Sequence, residues 1–347
     1  MAEQEQDAQV EIKDTSVLRV DNIEQQMERA YEFTFPLVYN DIFYTGFRFW
    51  PSIELTGRVQ EMIFDSAYLR TKAWETARAI LSRVVKELVA EDGSTQQVAP
   101  VPQGNLAYSK PVPRYTTAEK IVNLMHEPDT NMAAFVYQRD FVDEEVEGVY
   151  ICRSCREEFS EIDNLNDYRI ASPKEAILRF LIGLENGSTI SEMQDLIKDE
   201  DLDAMWNERF QDSLPPVAKF GLTVKKGYQY QGKMCKELKF KILQLHESVQ
   251  LAKRVMESDK NKPMAATHAR LNMMLTDVEG ASDALVVTRG GVIKGFGAAD
   301  YGKMSRILPN AFERMFIAKS RVCSNCSFAN SDMPLDMMTF FGMGSSV

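Results

Sequence analysis

The chain has 347 residues, 44% hydrophobic and 26% charged, a balance that excludes a disordered segment and suffices for one large core or two modest ones. Its net charge of −11 excludes a surface that attracts nucleic acid everywhere, so any such contact falls to a local basic patch. Five cysteines, four of them in two CxxC pairs, exclude a disulfide framework and fit a reducing compartment.

The start, Met1 to Asp7, is acidic and has no signal-peptide pattern, and no run of about 20 apolar residues offers a membrane span. A cytosolic protein with no membrane contact is expected. Residues 1–20 are polar and predict a mobile acidic arm. From Asp21, Ile23, Met27, Ala30 and Tyr31 have helical spacing. Phe33 to Trp50 is dense in aromatics with one basic residue, Arg48, and reads as core instead of a base-stacking platform.

Residues 66–91 predict a helix, with Trp74, Ala77, Leu81, Val84, Val85 and Leu88 on one stripe and Asp92-Gly93 as the stop. Residues 93–114, with four prolines, read as a long loop. Thr116 and Glu119 make a capping box for a helix reaching about His126. Phe135–Tyr137 and Gly148–Ile151 read as short strands. The acidic run between them, Asp140, Asp143, Glu144, Glu145 and Glu147, lacks EF-hand spacing and reads as solvated surface.

Ser172-Pro173-Lys174-Glu175 is a helix start whose helix stops at Gly187; another follows from Ser188, and Leu202 to Phe210 continue the pattern to Pro215-Pro216. Residues 218–262 hold eleven basic and four acidic side chains, a local balance of +7. Leu238, Ile242, Leu245, Val249, Ala252 and Met256 there predict the buried stripe of a long helix. Pro263 opens the next helix, with Leu271, Met274, Leu275 and Val278 inward. Leu285 to Lys294 reads as a hairpin with a Gly-Gly turn, and a last helix begins near Asn310, carrying Phe312, Met315, Phe316 and Ala318.

The fold class expected is mainly α with minor β (α+β). The body, residues 21–330, is helical with short strands and a hairpin, and an extended C-terminal arm spans 331–347. Chain ends are usually polar and fray. Here Met333, Pro334, Leu335, Met337, Met338, Phe340, Phe341 and Met343 make an apolar end. It needs a groove, either in its own chain or in a neighbouring copy, and the second reading makes it an oligomerisation clasp.

Two other sets of residues carry chemistry. Lys225, Lys226, Lys233, Lys236, Lys239, Lys241, Lys253 and Arg254 form a candidate RNA-binding surface, with Tyr228 or Tyr230 to stack on bases; the competing reading is a solvated face. The dominance of lysine favours phosphate contact over base reading, hence weak sequence preference. Cys152, Cys155, Cys323 and Cys326 offer four thiolates to one tetrahedral structural zinc if the fold unites pairs that lie 171 residues apart (323 − 152). Otherwise the pairs are incidental or redox-active. Gly290 to Gly297 lacks the phosphate-cradle pattern, and His126, His246 and His268 have no catalytic motif around them.

The stretch Val20-Asp21-Asn22-Ile23-Glu24-Gln25-Gln26, the aromatic block to Trp50 and the arm ending Phe340-Phe341-Gly342-Met343-Gly344 carry a resemblance that covers the whole chain. The chain resembles the viroplasm matrix proteins of fijiviruses, plant reoviruses spread by planthoppers. The resemblance implies a non-structural, mainly α-helical protein that forms dimers. Dimers join through the arm, here Met333–Val347, into a ring-like octamer. It further implies single-stranded RNA binding, association with other viral replication proteins, and inclusion bodies (viroplasms) in the host cytoplasm. NTP hydrolysis, found in viroplasm proteins of the wider reovirus group, is one alternative; a zinc-stabilised interaction module is another. The lysine and zinc assignments come from the residues, not from the resemblance.

Overall fold

Aromatic side chains at alternate positions build the first sheet. The computed structural model describes residues 28–50, 73–99, 117–142, 144–186, 201–210, 219–230, 232–257, 263–278, 293, 295–307, 315–316 and 318–334. Strands β1 (Tyr31–Tyr39) and β2 (Ile42–Phe49) pair antiparallel, and β3 (Val85–Ala90) and β4 (Thr95–Gln97) complete the order β1-β2-β3-β4. Tyr31, Phe33, Phe35 and Leu37 are buried at the period of two that a strand requires. Asn40 and Asp41 both have positive φ, 51° and 61°, which turns the chain in two residues with the handedness a hairpin needs. Between Glu32 and Leu37 the register shifts, and the N–H groups of Thr34 and Phe35 donate to the buried carboxylate of Asp129.

Helix α1 (Ala73–Val84) packs on this sheet, followed by α2 (Thr117–Val122) and α3 (Glu127–Tyr137). Strands β5 (Glu145–Ile151) and β6 (Glu158–Asn164) form a two-stranded ribbon. Phe33, Phe47, Phe49, Ile80, Leu81, Phe135, Tyr150 and Phe159 share the first core. Each large apolar side chain buried there contributes about 1.5–3 kcal/mol.

After β7 (Arg169–Ile170), helix α4 (Pro173–Asn186) starts as its sequence predicts: the Glu175 N–H donates to Ser172 Oγ at 3.2 Å. Helix α5 (Leu202–Phe210) follows. Strands β8 (Lys219–Tyr230) and β9 (Lys233–Lys241) form the long hairpin of a second sheet, ordered β10-β9-β8, with β10 at Leu275–Val278. Leu222, Val224, Leu238 and Phe240 face a second core shared with Ile177 and Phe180 of α4, Leu271 and Met274 of α7 (Pro263–Met274), and Met304 of α8 (Ala298–Ile307). Helix α6 (Leu245–Glu257) bridges the two, giving Leu245 and Val249 to the first core and Leu251 to the second. The last described elements are β11 (Met315–Phe316), paired to β7, and the ribbon of β12 (Ala318–Val322) with β13 (Ala329–Pro334).

The helix-dominated expectation is corrected. The described residues are 43% helical and 38% strand, a mixed α/β protein. In four segments expected as helix, pairing with another strand overrides local spacing. Of the stripe 66–91, residues 73–91 are described: the helix ends at Val84, and Val85–Ala90 crosses to pair with β2 and β4. Leu238 lies in β9 and Ile242 just after it, and α6 begins at Leu245, where Glu247 reaches back to the Gln244 N–H. Leu275 and Val278 lie in β10, which pairs with β9, instead of continuing α7. Met315, Phe316 and Ala318 are strand, not helix. In the opposite sense, Phe135–Tyr137, expected as strand, ends α3.

The arm expected over 1–20, most of the loop expected over 93–114, the helix expected from Ser188 and nearly all of the hairpin expected over 285–294 lie outside the described residues. So do Leu335, Met337, Met338, Phe340, Phe341 and Met343 of the clasp. Its first two residues are described: Met333 is buried in the first core and Pro334 pairs with Ala318 at the end of β13.

Candidate metal centre

Two ribbons far apart in the chain carry the same turn. Between β5 and β6, Cys152-Arg153-Ser154-Cys155 turns so that the Cys152 N–H donates to the Glu157 carbonyl at 2.9 Å and the Arg156 N–H donates to the Cys152 carbonyl at 3.0 Å. Between β12 and β13, Cys323-Ser324-Asn325-Cys326 repeats this: the Cys323 N–H meets the Phe328 carbonyl at 3.0 Å, and the Ser327 N–H meets the Cys323 carbonyl at 2.9 Å. The residue after each second cysteine has positive φ, 65° at Arg156 and 57° at Ser327. The sequence shows this local repeat only as CxxC; the rest is backbone geometry.

The turns face each other. All four Sγ atoms lie within 4.8 Å of one another, with Cys152 to Cys326 at 3.7 Å and Cys155 to Cys323 at 3.8 Å. These are too far for disulfides, whose sulfurs are about 2.05 Å apart. They match the edge of about 3.8 Å expected of a tetrahedron with metal–sulfur bonds of about 2.3 Å. The turns also hold each other directly: the Arg153 N–H donates to Asn330 Oδ1 at 2.8 Å and Asn325 Nδ2 donates to the Glu158 carbonyl at 3.1 Å.

The thiols do not ionise alike. Burial pushes Cys152 up, but the N–H groups of Cys155 and Ser154 and the Asn330 amide outweigh it and bring the thiol down to about 6. At Cys155 the Glu157 N–H pulls downward, yet burial and the three neighbouring thiols push it up to about 12. Four thiolates cannot crowd together without a cation between them. The donor set, its spacing and its N–H···S bonds therefore fit a four-coordinate soft metal site.

Beneath the cysteines, the ribbons share a buried polar cluster that sequence reading missed. Arg321 of β12 and Asp163 of β6 pair at 2.7 Å with both side chains 0% exposed. Tyr150 and Tyr168 each donate to Asp163 at 2.6 Å, and the guanidinium lies 4.1 Å from the centre of the Tyr150 ring. Burial raises the Asp163 pKa, but the two hydroxyls and Arg321 outweigh it and hold it below the usual carboxylate range. Nothing in the spacing of these four residues signals the cluster.

The predicted basic residues fall on two elements. Lys225, Lys226, Lys236 and Lys239 are exposed on the β8–β9 hairpin, Lys241 is half-buried there, and Lys253 and Arg254 are exposed on α6. Lys233 pairs with Tyr230 beside the turn of that hairpin. Lys239 pairs with Asp277 at 3.7 Å, Lys241 with Glu247, and Lys253 with Glu75 at 2.9 Å. Tyr228 is not a stacking platform: its ring packs on Phe296 and leaves no room for a Cβ at Gly295. The three histidines are dispersed, His126 against Phe35, His246 on the Asn123 carbonyl and His268 against Tyr301. In the acidic run, Asp140 is taken by Arg139 and Tyr31. Among the described residues the cysteine set is the only group with metal-ligand spacing.

Fold and site define a mixed α/β protein whose terminal ribbon is joined to its middle by a tetracysteine centre. Comparisons of the chain with known protein families, with curated proteins and with solved structures find no match.

Proposed function

We propose that this chain is a zinc-stapled, self-assembling scaffold that binds single-stranded RNA, the role implied by its resemblance to viroplasm matrix proteins. The convergence of four cysteine sulfurs from turns 171 residues apart (323 − 152) carries the stapled part of this reading. Zinc in that set has four protein ligands and no position left for water or substrate, so it holds structure instead of performing hydrolysis. The staple fixes the ribbon β12–β13 from which residues 335–347 leave. Those apolar residues are the segment that seats on a neighbouring copy, building dimers into a larger ring. The exposed lysines of β8–β9 and α6 support the RNA reading, and assembly multiplies their weak individual contacts. In a cell such a scaffold gathers RNA and viral replication proteins into cytoplasmic inclusions.

Metal analysis of untagged protein, with light scattering of the intact chain and of a chain ending at Pro334, tests this. The cut belongs after Pro334, because one at Ser331 removes half of β13. One zinc per chain and a smaller assembly after truncation are expected. Zinc well below one per chain removes the staple; an unchanged mass removes the clasp.

A further inference from the structure

The lysines expected to meet RNA are not equivalent. Lys239, Lys241 and Lys253 each have a carboxylate partner. Lys225, Lys226 and Lys236 are exposed and, among the described residues, have none within 4.0 Å. These three meet at a single irregularity. The ladder between β8 and β9 holds Thr223 opposite Glu237 and resumes with Tyr228 opposite Cys235. Four residues of β8, Val224 to Gly227, therefore oppose Lys236 alone. Regular alternation would send Lys225 and Lys226 to opposite faces; the bulge exposes both.

A buried carboxylate holds that bulge. Asp300, 3% exposed in the first turn of α8, accepts three successive backbone N–H groups: Lys225 at 3.1 Å, Lys226 at 3.0 Å and Gly227 at 3.0 Å. Gly227 has φ of +80°, and a Cβ there would lie 2.5 Å from the Cys235 carbonyl oxygen and 2.9 Å from the Lys236 stem. The Lys236 chain thus runs past the bulge backbone, while Lys226 lies along Gly297. Three lysines thus leave the chain at one bulge. The Asp300 carboxylate at the bulge is committed to backbone. Lysines on an edge strand also deter strand addition, but that task needs neither a three-residue bulge nor a buried carboxylate to shape it.

We infer that the β8 bulge is a phosphate clamp. Lys225, Lys226 and Lys236 engage successive backbone phosphates of a single-stranded nucleic acid, and Asp300 is the positioning residue that sets their spread. The inference rests on the RNA reading above and names its site. Tyr228 is packed inward on Phe296 and is no platform for a base, and lysine meets phosphates as a point charge, so the clamp reads backbone.

Binding of a labelled oligouridylate to the full chain, measured across a salt series, tests it. Replacing Lys225, Lys226 and Lys236 by alanine should lower the slope of log K against log salt by about 2, from about 0.7 per phosphate contact. Affinity at low salt should fall at least tenfold. The control, Lys120→Ala with Lys174→Ala, both exposed and outside the basic segment, should stay within twofold of the parent. Asp300→Asn keeps every lysine and should weaken binding to an intermediate degree. If that variant fails to fold, the triple variant decides alone. No salt-dependent RNA binding by the parent overturns the RNA reading itself. Parent binding with the triple variant equal to the control overturns the clamp and leaves RNA binding elsewhere. A triple variant that aggregates yet binds RNA as the parent does also overturns it, assigning these lysines to edge protection.

Discussion

A single histidine shows how burial alone makes stability depend on pH. His126 is buried at the start of α3 against Phe35, and loss of hydration lowers its pKa to about 4, with Glu247 pulling the other way. The unfolded chain takes up that proton near pH 6.5, and the folded chain refuses it until about pH 4. Stability is therefore complete above about pH 6.5 and is lost on acidification through that window, by up to about 3 kcal/mol at about 1.36 kcal/mol per pH unit. Asp163, whose pKa is depressed, adds to the loss below about pH 4, where the unfolded carboxyl protonates first. Urea unfolding at pH 7 and pH 4.5 should show this loss, and His126→Leu should show much less of it. Equal losses in parent and variant would acquit the ring. The cost of burying a charge is met differently at Arg321, which is surrounded by Asp163, Tyr150 and Tyr168, so its desolvation is offset by hydrogen bonds and a ring face.

Among the elements, the β1–β2 hairpin turns on two non-glycine residues in the left-handed region. Such a conformation costs a residue with a Cβ roughly 1 kcal/mol. Asp41→Gly gives the Asn-Gly pair this turn favours and should raise stability by about 0.5–1 kcal/mol, read as a higher unfolding midpoint. A lower midpoint would mean that the Asp41 side chain holds the turn. The same hairpin shows what the sequence made legible. Its aromatics were recognisable as core because few side chains are so apolar, but an Asn-Asp turn does not announce a hairpin as Asn-Gly does. Helix α4 was legible because Ser172, Pro173 and Glu175 are local signals that need no partner. The switch from α1 to β3 at Val84-Val85 was not, because the helical stripe and the strand's inward positions share Val85 and Leu88, and only a distant strand decides between them. At the metal centre the ligand types were readable and their meeting was not, since it depends on how two ribbons pack. The Asp300 contact was invisible for the same reason, lying 75 residues from Lys225.

For the whole molecule, the cysteine set and the Arg321 cluster are two fastenings on the same pair of ribbons. Chelation should remove one and leave the other. Zinc-loaded protein is expected to lose on the order of 10 °C in Tm on treatment with a strong chelator, recovering when zinc is restored. Collapse of the whole fold is not expected, since the second core contains no ligand. An unchanged Tm after verified metal removal would show that the ribbons do not need the ion.

The separation of the two cysteine turns along the chain also has a consequence in time. A ribosome adding about 5–20 residues per second needs roughly 9–34 s to pass from Cys152 to Cys323. For that interval Cys152 and Cys155 stand as a bare dithiol, open to oxidants and to the wrong metal. Each newborn molecule thus crosses a window of vulnerability before its later turn arrives, and the redox state of the surrounding cell sets how many molecules survive it.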